Sequence, residues 1–181
     1  MSIPRVLGIA GSLRSDSYNR RLLEAATEEL PDADWSIARL RGIPPFDADV
    51  EARGLPPAVA NLKDQIAGAD AIVIATPEYN HSISGVLKNA IDWASRPAGR
   101  SPLRDKPVLM MGVSTGRGGA RRALDVLRQV LESIDARPLD RVVSVASARE
   151  RFADGQPDSE LRRELREALD RLPVRAGVAA R

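Results

Sequence analysis

Three polar segments of this sequence carry residue types and spacings that could do chemistry. The first reads Gly11-Ser12-Leu13-Arg14-Ser15-Asp16-Ser17-Tyr18-Asn19 and follows the apolar run 6–10. A helix that opens there presents free N–H groups and the positive end of its dipole to an anion. That is worth about 0.3–1 kcal/mol when exposed and ~2 kcal/mol when partly buried. Ser12, Ser15, Ser17 and Asn19 add neutral donors, and Arg14 adds a planar fork suited to phosphate. Serine and asparagine are equally ordinary helix caps, so both roles stand open on the residues alone.

The second segment, Thr76-Pro77-Glu78-Tyr79-Asn80-His81-Ser82, sets an aromatic ring, an amide and the only histidine side by side. Aromatic stacking and nearby backbone N–H groups are what a flat, polar-edged heterocycle needs. A proline-led turn with a surface tyrosine, followed by Ser82 or Ser84 as a helix cap, accounts for the same residues. His81 by itself reads as a hydrogen-bonded loop residue.

The third, Gly112-Val113-Ser114-Thr115-Gly116, matches the Gly-x-Ser-x-Gly nucleophile elbow, with an apolar run before it and helical periodicity after it. A hydrolase of that design needs a histidine after the serine. His81 lies 33 residues before Ser114 and no other histidine exists. What remains is a flexible loop with Gly116, Gly118 and Gly119, which lets backbone approach a ligand.

Composition narrows the chemistry further. The 181 residues suit one domain, 1–181, with an ordered core over about 4–172 and a flexible tail, 173–181. Absence of cysteine excludes disulfides, cysteine-ligated metals and thiol nucleophiles, and one histidine excludes a multi-histidine metal site. No residue is assigned as a metal ligand or as a catalytic acid or base, so redox chemistry must come from a borrowed cofactor. Lys63, Lys88 and Lys106 all lie away from the glycine-rich loops, which excludes a Walker loop. Gly8 and Gly11, or Gly116 and Gly118, lack the third glycine of the dinucleotide fingerprint. The 27 basic residues, 24 of them arginine, are interleaved with 25 acidic ones, which reads as a mixed solvated surface rather than a nucleic-acid stripe. No apolar run reaches the ~7–15 residues of a secretory signal core or the ~20 of a membrane span. The expectation is a cytoplasmic protein with no membrane or nucleic-acid partner.

The elements that must position these loops follow from hydrophobic pattern. Runs 6–10, 71–75, 108–113 and 142–145 are apolar without alternation, as in strands of a parallel sheet buried on both faces. The interrupted run 35–40 reads as an edge strand. Helical stripes lie between them: Leu22, Leu23, Ala26 and Leu30; then Val59, Leu62 and Ile66, with Gly68 as C-cap. Next come Leu87, Ala90, Ile91 and Ala94, then 120–134, and finally 161–172 with Asp158 or Ser159 as N-cap. Five strands alternating with five helices predict an α/β fold, a doubly wound parallel sheet with helices on both faces. Such sheets bind ligands at the carboxyl ends of their strands, where all three polar loops fall.

Taken together, these loops resemble the NAD(P)H-dependent FMN reductase family, a flavodoxin-like group that includes chromate, quinone and azo-dye reductases. The likeness rests on Gly11-Ser12-Leu13-Arg14 with Ser17-Tyr18-Asn19, on Thr76-Pro77-Glu78-Tyr79-Asn80-His81-Ser82, and on Gly85-Val86-Leu87-Lys88-Asn89-Ala90-Ile91-Asp92-Trp93. It continues through Gly118-Gly119-Ala120-Arg121 and covers roughly 4–172. Ser84 stands where the family usually has proline, and the loop 115–119 is one residue shorter than usual.

The resemblance implies a flavodoxin-like five-stranded sheet in the order 2-1-3-4-5. It implies that Ser12, Arg14, Ser17 and Asn19, helped by the backbone near Tyr18, hold an FMN phosphate. Pro77, Glu78, Tyr79 and Asn80 would line the flavin ring, and Ser114, Thr115 and Gly116 would close its other edge. NADPH or NADH would supply hydride by a ping-pong route, and a small acceptor (quinone, free flavin, azo compound or metal oxyanion) would collect it. A homodimer or homotetramer is implied, with a neighbouring chain walling the flavin. The alternative is a flavodoxin-like electron carrier without nicotinamide turnover; such carriers tend to be acidic, against the pI near 9.4 here.

Overall fold

A computed structural model describes residues 3–174. Its centre is one sheet of five parallel strands, β1 (Arg5–Ala10), β2 (Asp34–Ala38), β3 (Ala71–Thr76), β4 (Pro107–Val113) and β5 (Arg137–Val145), in the spatial order β2-β1-β3-β4-β5. This is the doubly wound arrangement expected, and the chain reverses direction across the sheet beside β1, where β3 pairs with it from Val6↔Ala71 to Ala10↔Ala75.

The absence of alternation in the strand sequences has its physical cause in two cores. Val73, Leu109, Met111 and Val143 point to one face, against α1 (Tyr18–Glu29) and α7 (Ser159–Leu169). Leu7, Ile72, Ile74 and Met110 point to the other, against α3 (Pro57–Gly68), α4 (Gly85–Ala94) and α5 (Arg121–Glu132). Side chains two apart share a face, so a strand covered on both sides must be apolar at every position.

The structure departs from the sequence expectation in four places. A short helix, α2 (Ala48–Arg53), buries no residue and so leaves no hydrophobic stripe; the Asp47 carboxylate caps it through the Asp49 N–H. Another, α6 (Ala148–Arg151), is a single turn. Strand β5 begins at Arg137, earlier than expected, because this edge strand alternates polar and apolar residues at its start and carries Pro138, tolerated at an edge. Gly68 ends α3 from inside the helix and Ala69 is the cap residue, while Lys106 donates to the Ala67 and Ala69 carbonyls. Asp158 is the N-cap of α7, its carboxylate accepting the Leu161 N–H at 2.7 Å. The tail expected to be flexible, 173–181, lies outside the described residues from 175 onward.

Candidate functional site

The loops leaving β1, β3 and β4 converge on one cleft at the carboxyl edge of the sheet. Ser12, Arg14, Ser17, Tyr18 and Asn19 come from the first loop, Pro77, Glu78 and Tyr79 from the second, and Val113, Ser114 and Thr115 from the third. The cleft holds about 150 Å³.

On the first loop the chain folds back against β3: Gly11 N–H donates to the Ala75 carbonyl at 2.8 Å, and the Ser84 hydroxyl donates to the Gly11 carbonyl at 2.5 Å. Ser17, buried and extended (φ −95°, ψ 127°), begins α1, but its hydroxyl makes no capping bond and the first turn has no acidic residue. Asp47 caps α2, Ser84 caps α4 and Asp158 caps α7, whereas α3 and α6, like α1, have no side-chain cap. The amino end of α1 therefore opens on the cleft with its N–H groups uncapped by any side chain, beside the exposed Arg14.

Asn19 has a further task that its residue type did not reveal. Its carboxamide is buried and grips the end of β4, accepting the Val113 N–H at 3.1 Å and donating to the Val113 carbonyl at 3.2 Å. The first and third loops are thereby fixed to one another. Val113 itself, which lines the cleft, carried no polar signal in the sequence.

The second loop is a tight turn. Tyr79 and Ser82 exchange backbone hydrogen bonds at 3.0 Å, and Asn80 (φ 50°) and His81 (φ 63°) between them are both left-handed. Asparagine and histidine are among the side chains that tolerate this region. Asn80 serves the turn and is not among the residues that border the cleft. Glu78 turns its carboxylate to the amino end of α5, where it accepts the Arg122 N–H at 3.1 Å; Ala120, the local cap residue, has no hydrogen-bonding side chain to offer. The Arg122 guanidinium lies 3.6 Å from Glu78 and hydrogen-bonds His81 Nδ1. His81 is thus a hydrogen-bonded loop residue, and Tyr79 stands half exposed at the rim.

The third loop is held rather than free. Ser114 N–H donates to the Val145 carbonyl, Ala148 N–H to Ser114 and Ser147 N–H to Gly116, each at 3.0 Å, and the Ser144 hydroxyl donates to the Gly119 carbonyl at 2.8 Å. Of its glycines only Gly119 is left-handed (φ 57°), and a Cβ there would stand 2.6 Å from Ser144 Oγ. Gly112 is required for a different reason: its Cβ would lie 2.9 Å from that of Ala120 and 3.0 Å from the Thr76 carbonyl. The elbow-like sequence is therefore a packing solution, and Ser114 Oγ donates to the Gly116 carbonyl at 3.2 Å. Gly116 does not line the cleft.

Comparison with known proteins follows the same lines. The family model described as NADPH-dependent FMN reductase matches residues 4–150. The chain is 48% identical over 164 residues to an NAD(P)H-dependent FMN reductase of Pseudomonas aeruginosa, covering 89% of this chain and 88% of that one. It is 40% identical over 140 residues to a quinone reductase of Escherichia coli K12, covering 76% and 74%. Among solved structures, the flavoenzyme NAD(P)H:(acceptor) oxidoreductase FerB of Paracoccus denitrificans superposes with a TM-score of 0.83 at 31% identity, covering 93% of this chain and 96% of that one.

Proposed function

Because this chain belongs to the NADPH-dependent FMN reductase family, we propose that the three-loop cleft is its flavin site and that FMN stays there as a bound cofactor. The chain is an NAD(P)H-dependent FMN and quinone reductase. One observation carries the assignment of the site: residues from three loops far apart in sequence meet in one cleft into which the uncapped end of α1 opens.

The donors fit the group. A phosphate monoester carries about −1.5 to −2 charges and wants N–H and hydroxyl donors with a nearby cation. The α1 N–H groups, Ser12, Ser17 and Arg14 supply that set, and no carboxylate comes from the first loop's part of the lining. Asn19, whose carboxamide bonds both backbone groups of Val113, contributes by fixing Ser114 rather than by donating to the phosphate. Pro77, Tyr79, Ser114 and Thr115 form the rims on which a planar ring would rest. FMN, when bound, supplies the two-electron centre between a nicotinamide and a quinone. The protein's own part is to hold and orient: Glu78 and His81 are committed to Arg122 and α5, so no side chain of this lining is assigned a proton transfer.

Size supports a partner. The cleft is smaller than the ~300–1,000 Å³ of pockets that enclose drug-sized ligands, and Leu13 and Tyr79 stand exposed beside it. A second copy of the chain, in a homodimer or homotetramer, would complete the wall. The reading also places the reaction in the cytoplasm, beside the pool of reduced nicotinamide.

Substituting Arg14→Glu tests the site. FMN affinity should fall by more than tenfold, while stability moves within about 0.5 kcal/mol, as for exposed positions generally. Unchanged FMN affinity would overturn the phosphate assignment.

A further inference from the structure

Beside the flavin cleft, sharing Ser12 and Arg14 with it, lies a roomier cavity of about 460 Å³ between the first loop and the exit of β2. Its charged lining is arginine alone, Arg14, Arg20, Arg39 and Arg41. Arg20 is answered by Glu24 at 2.9 Å. Arg14, Arg39 and Arg41 have no carboxylate partner among the described residues, although arginines elsewhere are widely ion-paired, as Arg151 is with Asp158 and Arg166 with Glu29. Past the end of β2 the chain keeps its alternation: Ala38 and Leu40 are buried, and Arg39 and Arg41 face outward together. Arg41 is steadied there by donating to the Leu13 carbonyl at 3.0 Å.

We propose that this cavity receives the 2′-phosphate of NADPH and makes the enzyme prefer NADPH to NADH, with Arg39 and Arg41 reading the phosphate. The proposal rests on the nicotinamide-dependent activity assigned above. A concave surface of one charge focuses potential on an anion, and guanidinium forks suit phosphate oxygens. In Rossmann dinucleotide folds, a different architecture, a carboxylate holds the unphosphorylated ribose 2′-hydroxyl and an arginine accommodates the 2′-phosphate, and the same chemistry applies to any such site. No carboxylate lines this cavity. The common wall at Ser12 and Arg14 puts it next to the flavin cleft, so one extended cosubstrate can occupy ground beside a bound flavin.

The test uses the FMN-loaded protein and two readouts. In calorimetric titration, adenosine 2′,5′-bisphosphate should bind wild type at least tenfold tighter than adenosine 5′-phosphate, and Arg39→Glu should erase that difference. Arg39→Gln, which keeps the size without the charge, should reduce that difference less than Arg39→Glu does, since it removes a charged hydrogen bond without adding a repulsive carboxylate. In turnover, the ratio of kcat/KM for NADPH to that for NADH should fall in the same order. Equal binding of the two nucleotides to wild type, or a difference that survives Arg39→Glu, overturns the proposal. Inorganic phosphate that competes as well as the bisphosphate also overturns it, since the cavity is then a general anion site. A wild type that oxidises neither nicotinamide sinks the reductase reading instead, and the two nucleotide titrations tell that failure apart from this one.

Discussion

Replacing Asn19 by alanine should unfasten the site from within. The carboxamide makes two hydrogen bonds, at 3.1 and 3.2 Å, to the N–H and carbonyl of Val113 at the end of β4. Truncation leaves both backbone groups without their partner at a buried position, and each such group costs about 1–3 kcal/mol. Because Val113 borders the cleft, water can reach part of the gap. The low half of that range then applies, about 2–4 kcal/mol in total. For a protein of this size a loss of about 3 kcal/mol lowers Tm by roughly 6–12 °C. Urea unfolding monitored by circular dichroism measures it directly as a shift in midpoint at constant slope. Asn19→Asp separates the two bonds, since it keeps an acceptor for the Val113 N–H and sets a carboxylate against the Val113 carbonyl. It should be no more stable than the alanine variant. FMN affinity should weaken in both, because Ser114 loses its tether to α1. A loss below about 0.5 kcal/mol for Asn19→Ala, the scale of an ordinary surface substitution, would refute the view that this amide joins the first and third loops.

Ser84→Ala should cost about 1–2 kcal/mol in urea unfolding, since it removes the cap on the Leu87 N–H and the hydrogen bond to the Gly11 carbonyl. Glu29 sits between Arg162 at 3.0 Å and Arg166 at 2.7 Å, joining α1 to α7. Burial pushes its carboxyl up, but the hydrogen bonds and charges of Arg166 and Arg162 outweigh that and hold it below the usual glutamate value. A depressed pKa in the folded state means stabilisation that is present above the unfolded value, about 4.3, and is lost as pH falls through the folded one. Glu29→Gln should therefore lower the urea midpoint at neutral pH, with the gap from wild type closing on acidification; a gap that stays constant with pH would contradict the ion-pair account.

The layout of the sheet was readable because burial on both faces forces every residue of a central strand to be apolar, as in Ala71-Ile72-Val73-Ile74-Ala75. The flavodoxin-like strand order came from resemblance rather than pattern, since strand neighbours leave no local trace. The loops that meet at the cleft were legible from polar residues placed after strands. Which side chain does what was not, because a polar side chain announces its chemistry and not its partner. Asn19 bonds a strand end, Glu78 caps a helix that begins 43 residues later in the chain, and Asn80 serves a left-handed turn. Arg39 and Arg41 resembled the rest of a solvated, arginine-rich surface until the fold set them in one cavity with Arg14.

Reconstitution with FMN followed by anaerobic titration with NADPH and NADH tests the central claim most directly. The account predicts a yellow protein that keeps its flavin through gel filtration, bleaches on adding nicotinamide and regains its colour with a quinone. A protein that FMN cannot reconstitute, or bound FMN that neither nicotinamide bleaches, would contradict it.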